Sequence, residues 1–468
     1  MSAKKKEENT KIKKNKNTAK TPVIDDTKKI VKKSGSKTNK YDLLRGMHDI
    51  LPADEKYWKS IYNTTTSLAE HFLYGRIETP VVELSNLFIR SVGKGTDIVD
   101  KEMYLFEDND GKKVCLRPEA TASIARAYIN HGLWNKPQPI KLWYWGPMFR
   151  HDRPQAGRYR QFFHAGFENL GAIDPSVDAE MILLAYNILF KNGIETIVHV
   201  NSIGTPEERE RYRADLVTYL RSKRSYLCDD CKTRINKNTL RVLDCKQEQC
   251  QPVIEEAPQI LDWLGEISKK HFMTVLEYLD ELGVPYMLKP NLVRGLDYYN
   301  GLVFEFYGQV GEEGAQSALG GGGRYDYLIE SMGGQPTPAI GFSLGVERVV
   351  NAMKKKEESG EKIIKEKLPD VYFAHLGVDA RRVLLRIINE FYGSGIKISF
   401  NFFKESLKSQ LESANKHKVP YVLILGQKEV QDGTVIVRDM ESGEQEIIDQ
   451  KKIVKFLAKK VEMINKVD

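Results

Sequence analysis

No stretch of the 468-residue sequence approaches the roughly 18 consecutive apolar residues that a membrane-spanning helix needs. Arginine and aromatic residues are missing altogether from residues 1–40, where 14 lysines face only Glu7, Glu8, Asp25 and Asp26. Such a segment buries too little apolar surface to repay the entropy of ordering, so disorder is expected there. Without arginine or a regular apolar face it matches neither a transit peptide nor an amphipathic anchor, and no signal-peptide core precedes Tyr41. The expectation is a soluble, cytoplasmic protein with no membrane partner. Fourteen positive charges against four negative give this tail +10, more than the chain's formal +7. The rest of the chain therefore lacks any excess of positive charge, and an RNA-binding face on it must come from local patches.

What is present is core material for two or three domains. The pattern predicts a helix over Glu55 to Leu73, with Trp58, Ile61, Tyr62 and Leu68 on its apolar side, followed by a strand-like GRIETPVV that Pro80 confines to an edge or a terminus. Further strand candidates are KKVCLRP, PIKLWYWGPMFR, RQFFHAGFENLG, GLVFEFYG and PAIGFSLG, mostly separated by turns or short helices, which favours an antiparallel sheet. A helix is expected over Ala179 to Phe190 and a strand in IETIVHVNSIG. Charge then rises: Thr205 and Glu208 form a capping-box pattern ahead of a charged helix and a cysteine-containing hairpin or turn. From about Leu368 strands and helices alternate to the end, as in a small mixed sheet covered by helices. The fold class is α/β, with an α+β domain in two parts, residues 41–204 and 271–360. An inserted, mostly helical module at 205–270 divides them, and a mixed α/β domain at 368–468 follows.

The most informative stretch is VRGLDYYNGLVFEF, Val293 to Phe306. It sets Arg294, Asp297, Tyr298 and Tyr299 at the head of an alternating apolar run, where an arginine can meet a phosphate or carboxylate and the tyrosines offer ring faces and hydroxyls. Upstream lies FRHDRPQAGRYRQFFHAGFE and downstream GFSLGVERVV, in which Gly341 and Gly345 let backbone approach a ligand just before a helix carrying Arg348. Four consecutive glycines in ALGGGGRYDYLIESMG also permit close approach, but without the spacing of a dinucleotide fingerprint.

Together these segments closely resemble the histidyl-tRNA synthetase family of class II aminoacyl-tRNA synthetases, from about Tyr41 to the C-terminus. The resemblance implies the class II antiparallel catalytic sheet, a homodimer, a C-terminal anticodon-binding domain, and ATP, Mg²⁺, L-histidine and tRNA(His) as cofactors and partners. It places Arg150 on the α-phosphate and Arg158 on the outer phosphates, with loop solvation as the plainer role for Arg158. Phe162 or Phe163 would stack the adenine. Arg348 would hold the γ-phosphate and adenine, a salt bridge to Glu347 being its alternative, and Arg294 would touch the α-phosphate and the histidine carboxylate. Glu119 would receive the ammonium beside Thr121, which could instead cap a helix beginning about Ser123. Glu168 would read the imidazole, Tyr298 and Tyr299 would supply a hydroxyl and a wall, and Tyr325 would border the pocket while Arg324 and Asp326 brace the glycine loop. The family commonly has His-Gln where this chain has Phe163 and His164, so His164 stands in place of a substrate-binding glutamine. A histidine-sensing regulatory paralogue of ATP phosphoribosyltransferase shares the catalytic fold and is the alternative reading.

Cysteine is scarce, yet four of the five fall in a C-x2-C-x13-C-x4-C pattern at Cys228, Cys231, Cys245 and Cys250. The count suits a tetrahedral zinc site, while the second pair is wider than the usual knuckle, which leaves reduced packing cysteines as the alternative.

Overall fold

The structure, a computed structural model, describes residues 41–93, 96–152, 157–308, 318–364 and 368–465. The lysine-rich segment expected to be disordered lies outside these residues. Eight strands form the main sheet: β1 (Gly75–Arg76), β2 (Ile140–Phe149), β3 (Gln161–Leu170), β4 (Thr196–Ser202), β5 (Tyr286–Leu288), β6 (Asn300–Gly308), β7 (Gly320–Arg324) and β8 (Ala339–Gly345). Their order is β1-β2-β3-β8-β7-β6-β4-β5. The six central strands run antiparallel, and each edge strand adds in parallel.

Strand alternation sorts side chains onto two faces. Trp143, Ala165, Phe167, Leu302, Phe304, Phe306, Ile340, Phe342 and Leu344 join one core with the helices Glu55–His71, Pro175–Lys191, Glu266–Glu281 and Val346–Glu358. Tyr144, Met148, Leu170 and Val303 face the other way, toward helix Thr121–Asn130 and the inserted module. A three-stranded sheet, Val82–Leu84, Leu105–Glu107 and Lys113–Leu116, completes this part.

The inserted module follows β4. Thr205 and Glu208 do form the capping box of helix Pro206–Ser222. The cysteine segment departs from the expected hairpin or turn: residues Asp229–Lys237 are helical, with the Cys228 sulfur accepting the first-turn amide of Cys231. Asp229 and Asp230 at its start and Arg234 and Lys237 at its end suit the helix dipole. The C-terminal sheet comprises β9 (Val371–His375), β10 (Ile398–Phe400), β11 (Tyr421–Leu425), β12 (Thr434–Asp439) and β13 (Gln445–Asp449) in the order β10-β9-β11-β12-β13. It is parallel on one side and antiparallel on the other.

Two further differences have local causes. The helix expected from Ala179 begins at Pro175, because Asp174 caps it and a proline fits its first turn. Glycines 320–323, expected to let backbone approach a ligand closely, form a central strand between β6 and β8. A Cβ at Gly320, Gly321 or Gly322 would meet a neighbouring strand's carbonyl oxygen at 2.1–2.4 Å, so the ladder closes only without side chains there.

Candidate active site

On the module-facing side of the sheet lies a cavity of about 320 Å³. Its floor is shaped by β3, where Phe162 and His164 point into the cavity and Phe163 points away. Phe163 packs edge-on to Trp58 with ring centroids 5.2 Å apart, so of the two phenylalanines only Phe162 is placed to meet a ligand.

One end of the cavity is cationic. Arg150 leaves the tip of β2, donates through Nε to the Pro118 carbonyl at 2.9 Å and carries its guanidinium over the Phe162 ring. Arg158 pairs with Asp152 at 3.1 Å. Arg348, in the first turn of helix Val346–Glu358, donates to the Ala318 carbonyl, while its neighbour Glu347 accepts the Phe163 amide at 2.9 and 3.0 Å. Arg294 is bound to Glu305 and lies over the Tyr299 ring. Burial and then the charges of Arg158 and Arg150 pull the Arg348 guanidinium down to about 10. His164 is held well below its ordinary 6.5, first by burial and then by Arg150, Arg348, Arg117 and Arg294, so its ring is neutral. Nε of Arg158, Nε of Arg294 and Nδ1 of His164 are buried without a protein hydrogen-bond partner. A crowd of partly desolvated guanidinium groups of this kind is suited to an anion with several charges.

The other end is built from carboxyls and phenols. Glu119 accepts the amides of Thr121 at 2.6 Å and Ala122 at 3.0 Å, which starts the helix at Thr121 rather than near Ser123. Glu119 therefore occupies the helix end. Thr121 is not the cap: its hydroxyl donates to Glu168 at 2.8 Å. The other Glu168 oxygen accepts the Tyr325 hydroxyl at 2.5 Å. Glu168 and Tyr325 do not form the cavity surface; they stand directly behind Thr121. Burial pushes the Glu168 carboxyl up to about 8, against the pull of Tyr325 and Thr121. Tyr298 and Tyr299 both line the cavity, with ring centroids 4.7 Å apart. Arg324 and Asp326 lie outside it. Arg324 joins Asp178, Asp326 and the Ala172 carbonyl, and Asp326 accepts from Asn300, so the pair ties β6 and β7 to a helix.

Several groups at the site escape the sequence reading. Glu305 lines the cavity and holds Arg294; a lone carboxylate inside the alternating run GLVFEFYG was a signal for it. Arg241 of the inserted module also lines the cavity, and nothing in its local sequence points there. Beyond the cavity, the four paired cysteines converge, their sulfurs all within 4.8 Å of one another, a set able to coordinate a metal ion.

A family model described as histidyl-tRNA synthetase matches residues 46–349, and one described as anticodon binding domain matches residues 370–460. A histidine–tRNA ligase of Halothermothrix orenii is 45% identical over 402 residues, which cover 86% of this chain and 95% of the relative. The apo crystal structure of Staphylococcus aureus histidyl-tRNA synthetase superposes with a TM-score of 0.73 at 34% identity, covering 89% of this chain and all of that one. A Bacillus halodurans structure described as an ATP phosphoribosyltransferase regulatory subunit/histidyl-tRNA synthetase covers 83% of this chain and 99% of its own, with a TM-score of 0.60 and 22% identity, a likeness of fold alone.

Proposed function

Since the chain belongs to the histidyl-tRNA synthetase family, we infer that it activates L-histidine with ATP and then transfers the histidyl group to the 3′-terminal adenosine of tRNA(His). It is a class II ligase. In the first step a histidine carboxylate oxygen bonds to the α-phosphorus while the bond to pyrophosphate breaks. In the second, a ribose hydroxyl attacks the activated carbonyl, loses its proton and displaces AMP.

The observation that carries this reading is one cavity with unpaired guanidinium donors at one end and a buried carboxyl–phenol cluster at the other. Arg150 and Arg294 meet charge developing around the α-phosphate, Arg158 and Arg348 hold the outer phosphates, and Phe162 carries the adenine. Mg²⁺, when bound with the nucleotide, supplies further neutralising charge, and Glu102 and Glu305 are carboxylates in the lining able to hold it. Glu119 and Thr121 take the ammonium. Glu168, set by Tyr325, reads the imidazole through the Thr121 hydroxyl, which donates to it and is left to accept from a ring N–H beside the wall that Tyr298 and Tyr299 complete, so a side chain without a ring N–H leaves an acceptor unpaired. The neutral His164 offers the substrate one hydrogen bond where an amide offers two kinds.

A histidine-sensing regulatory subunit would need the carboxyl–phenol end alone. Four arginines gathered at the other end favour the ligase. The C-terminal domain is the reader of the tRNA anticodon, the working form is a homodimer and the setting is cytoplasmic. Among the described residues no helix is long and apolar enough to cross a membrane. Histidine-dependent exchange of pyrophosphate into ATP, with no exchange for other amino acids, is the expected result; tight histidine binding without exchange would support the regulatory reading instead. Charging of tRNA(His) then tests the second step.

A further inference from the structure

Cys228 and Cys245 hold their sulfurs 3.8 Å apart, and all four sulfurs of the cluster lie within 4.8 Å of one another. Disulfide sulfurs stand about 2.05 Å apart, so the Cys228 and Cys245 sulfurs are not bonded to each other. Thiolates placed about 2.3 Å from a zinc ion stand roughly 3.8 Å from each other along the edges of a tetrahedron. The wide second spacing is no obstacle, because the short turn Glu248–Cys250 folds the last sulfur back onto the first pair. The Cys228 amide points at the Cys250 sulfur at 3.2 Å and the Cys231 amide at the Cys228 sulfur at 3.5 Å, an arrangement that spreads thiolate charge.

We propose that Cys228, Cys231, Cys245 and Cys250 bind one structural zinc ion, and that this ion fixes the part of the inserted module that positions the active-site loop. Four thiols give up four protons to solvent as four Zn–S bonds form, with no change of oxidation state. The module has reason to need such a staple. Between helices Pro206–Ser222 and Glu266–Glu281 it consists of short helices and turns packed on a few apolar residues such as Leu227, Ile235, Val242 and Ile254.

The link to the site is direct. Helix Asp229–Lys237 starts on Cys228, and just past its other end the Asn238 side chain donates to Asp297, between Arg294 and Tyr298, at 3.2 Å. From the same helix Arg234 pairs with Asp97 at 3.3 Å, and Arg241 reaches the same carboxylate at 3.7 Å while lining the cavity. One end of this short segment is therefore anchored by sulfur and the other by the loop.

The full chain, expressed with zinc supplied and dialysed against metal-free buffer, is expected to retain one zinc per chain by elemental mass spectrometry. Exchange of cobalt(II) into the site should give thiolate-to-cobalt charge-transfer absorption and the visible bands of a tetrahedral ion. A mercurial thiol reagent should release the zinc from the unmodified protein, so the result does not depend on whether a cysteine variant folds. Hydrogen exchange is expected to rise on zinc removal in residues 229–245 and 294–299 together, to fall again when zinc is restored, and to stay unchanged in residues 371–461. A zinc-free protein whose four thiols titrate freely overturns the site, as does iron in its place. Zinc-dependent exchange confined to the module overturns the link to the loop.

Discussion

Glu168 lies across Gly341: a Cβ at position 341 would fall 1.6 Å from its Oε2. The two residues are also register partners on β3 and β8, so neither can slide away along the strand without breaking the ladder. The bare glycine is what lets the carboxyl reach Tyr325 and Thr121.

Gly341→Ala is therefore expected to displace Glu168, raising the KM for histidine in pyrophosphate exchange while leaving the KM for ATP near its original value. Overpacking of this kind costs about 1–3 kcal/mol, which thermal unfolding would register separately. An unchanged histidine KM would show that Glu168 does not set histidine binding.

Arg294→Ala removes a guanidinium from the cavity and leaves the partly buried Glu305 with the Tyr307 hydroxyl but without its arginine. Loss of one preorganised donor is worth about 3–4 kcal/mol, a slowing of roughly a hundredfold or more. Single-turnover adenylate formation at saturating histidine and ATP is the measurement. A rate equal to that of the unaltered enzyme would make Arg294 a structural residue.

Glu168 also gives stability a pH dependence with a definite sign. Its carboxyl ionises near 4.5 when unfolded and at about 8 when folded, so within that window the native state holds a proton that the unfolded chain has lost. The stabilising contribution is complete below about 4.5 and is lost as pH rises through about 8, at a slope of up to roughly 1.4 kcal/mol per pH unit. Unfolding measured between these limits should show a shallower decline for Glu168→Gln than for the unaltered protein. Parallel curves would mean that another group carries the titration.

The proposed homodimer has a candidate surface. Val82, Leu84, Leu105 and Phe106, each 46–57% exposed, all belong to the small three-stranded sheet. Light scattering is expected to give twice the 53.5 kDa chain mass, and Leu84→Glu with Phe106→Glu to halve it. A double variant that remains a dimer would move the interface elsewhere. The helix carrying Trp58 and Tyr62 has those rings turned partly onto Trp145 of its own chain.

The long aromatic strands β2 and β3 were legible because alternation and β-branched or aromatic residues leave little else to build. Which of Phe162 and Phe163 meets the cavity was not, since parity names a side only once the core side is known. Glycines 320–323 hid a central strand for a related reason: what favours glycine there is the closeness of two neighbouring backbones, a property of strands distant in sequence. Arg241 and the second-layer placement of Glu168 and Tyr325 depend likewise on how separate segments meet. The arginines were easier, because a charge at the end of an apolar strand or beside a glycine turn is already out of place in a core.

Strand β7 presents bare backbone to the cavity at Gly320 and Gly321. A wall with no side chains offers natural variation almost nothing to exchange, and any replacement at Gly321 would strike the Phe304 carbonyl and Arg294 together. Drift in amino-acid preference, or its deliberate redesign, is thereby channelled to lining side chains outside the strands, such as Tyr298, Tyr299 and Thr121.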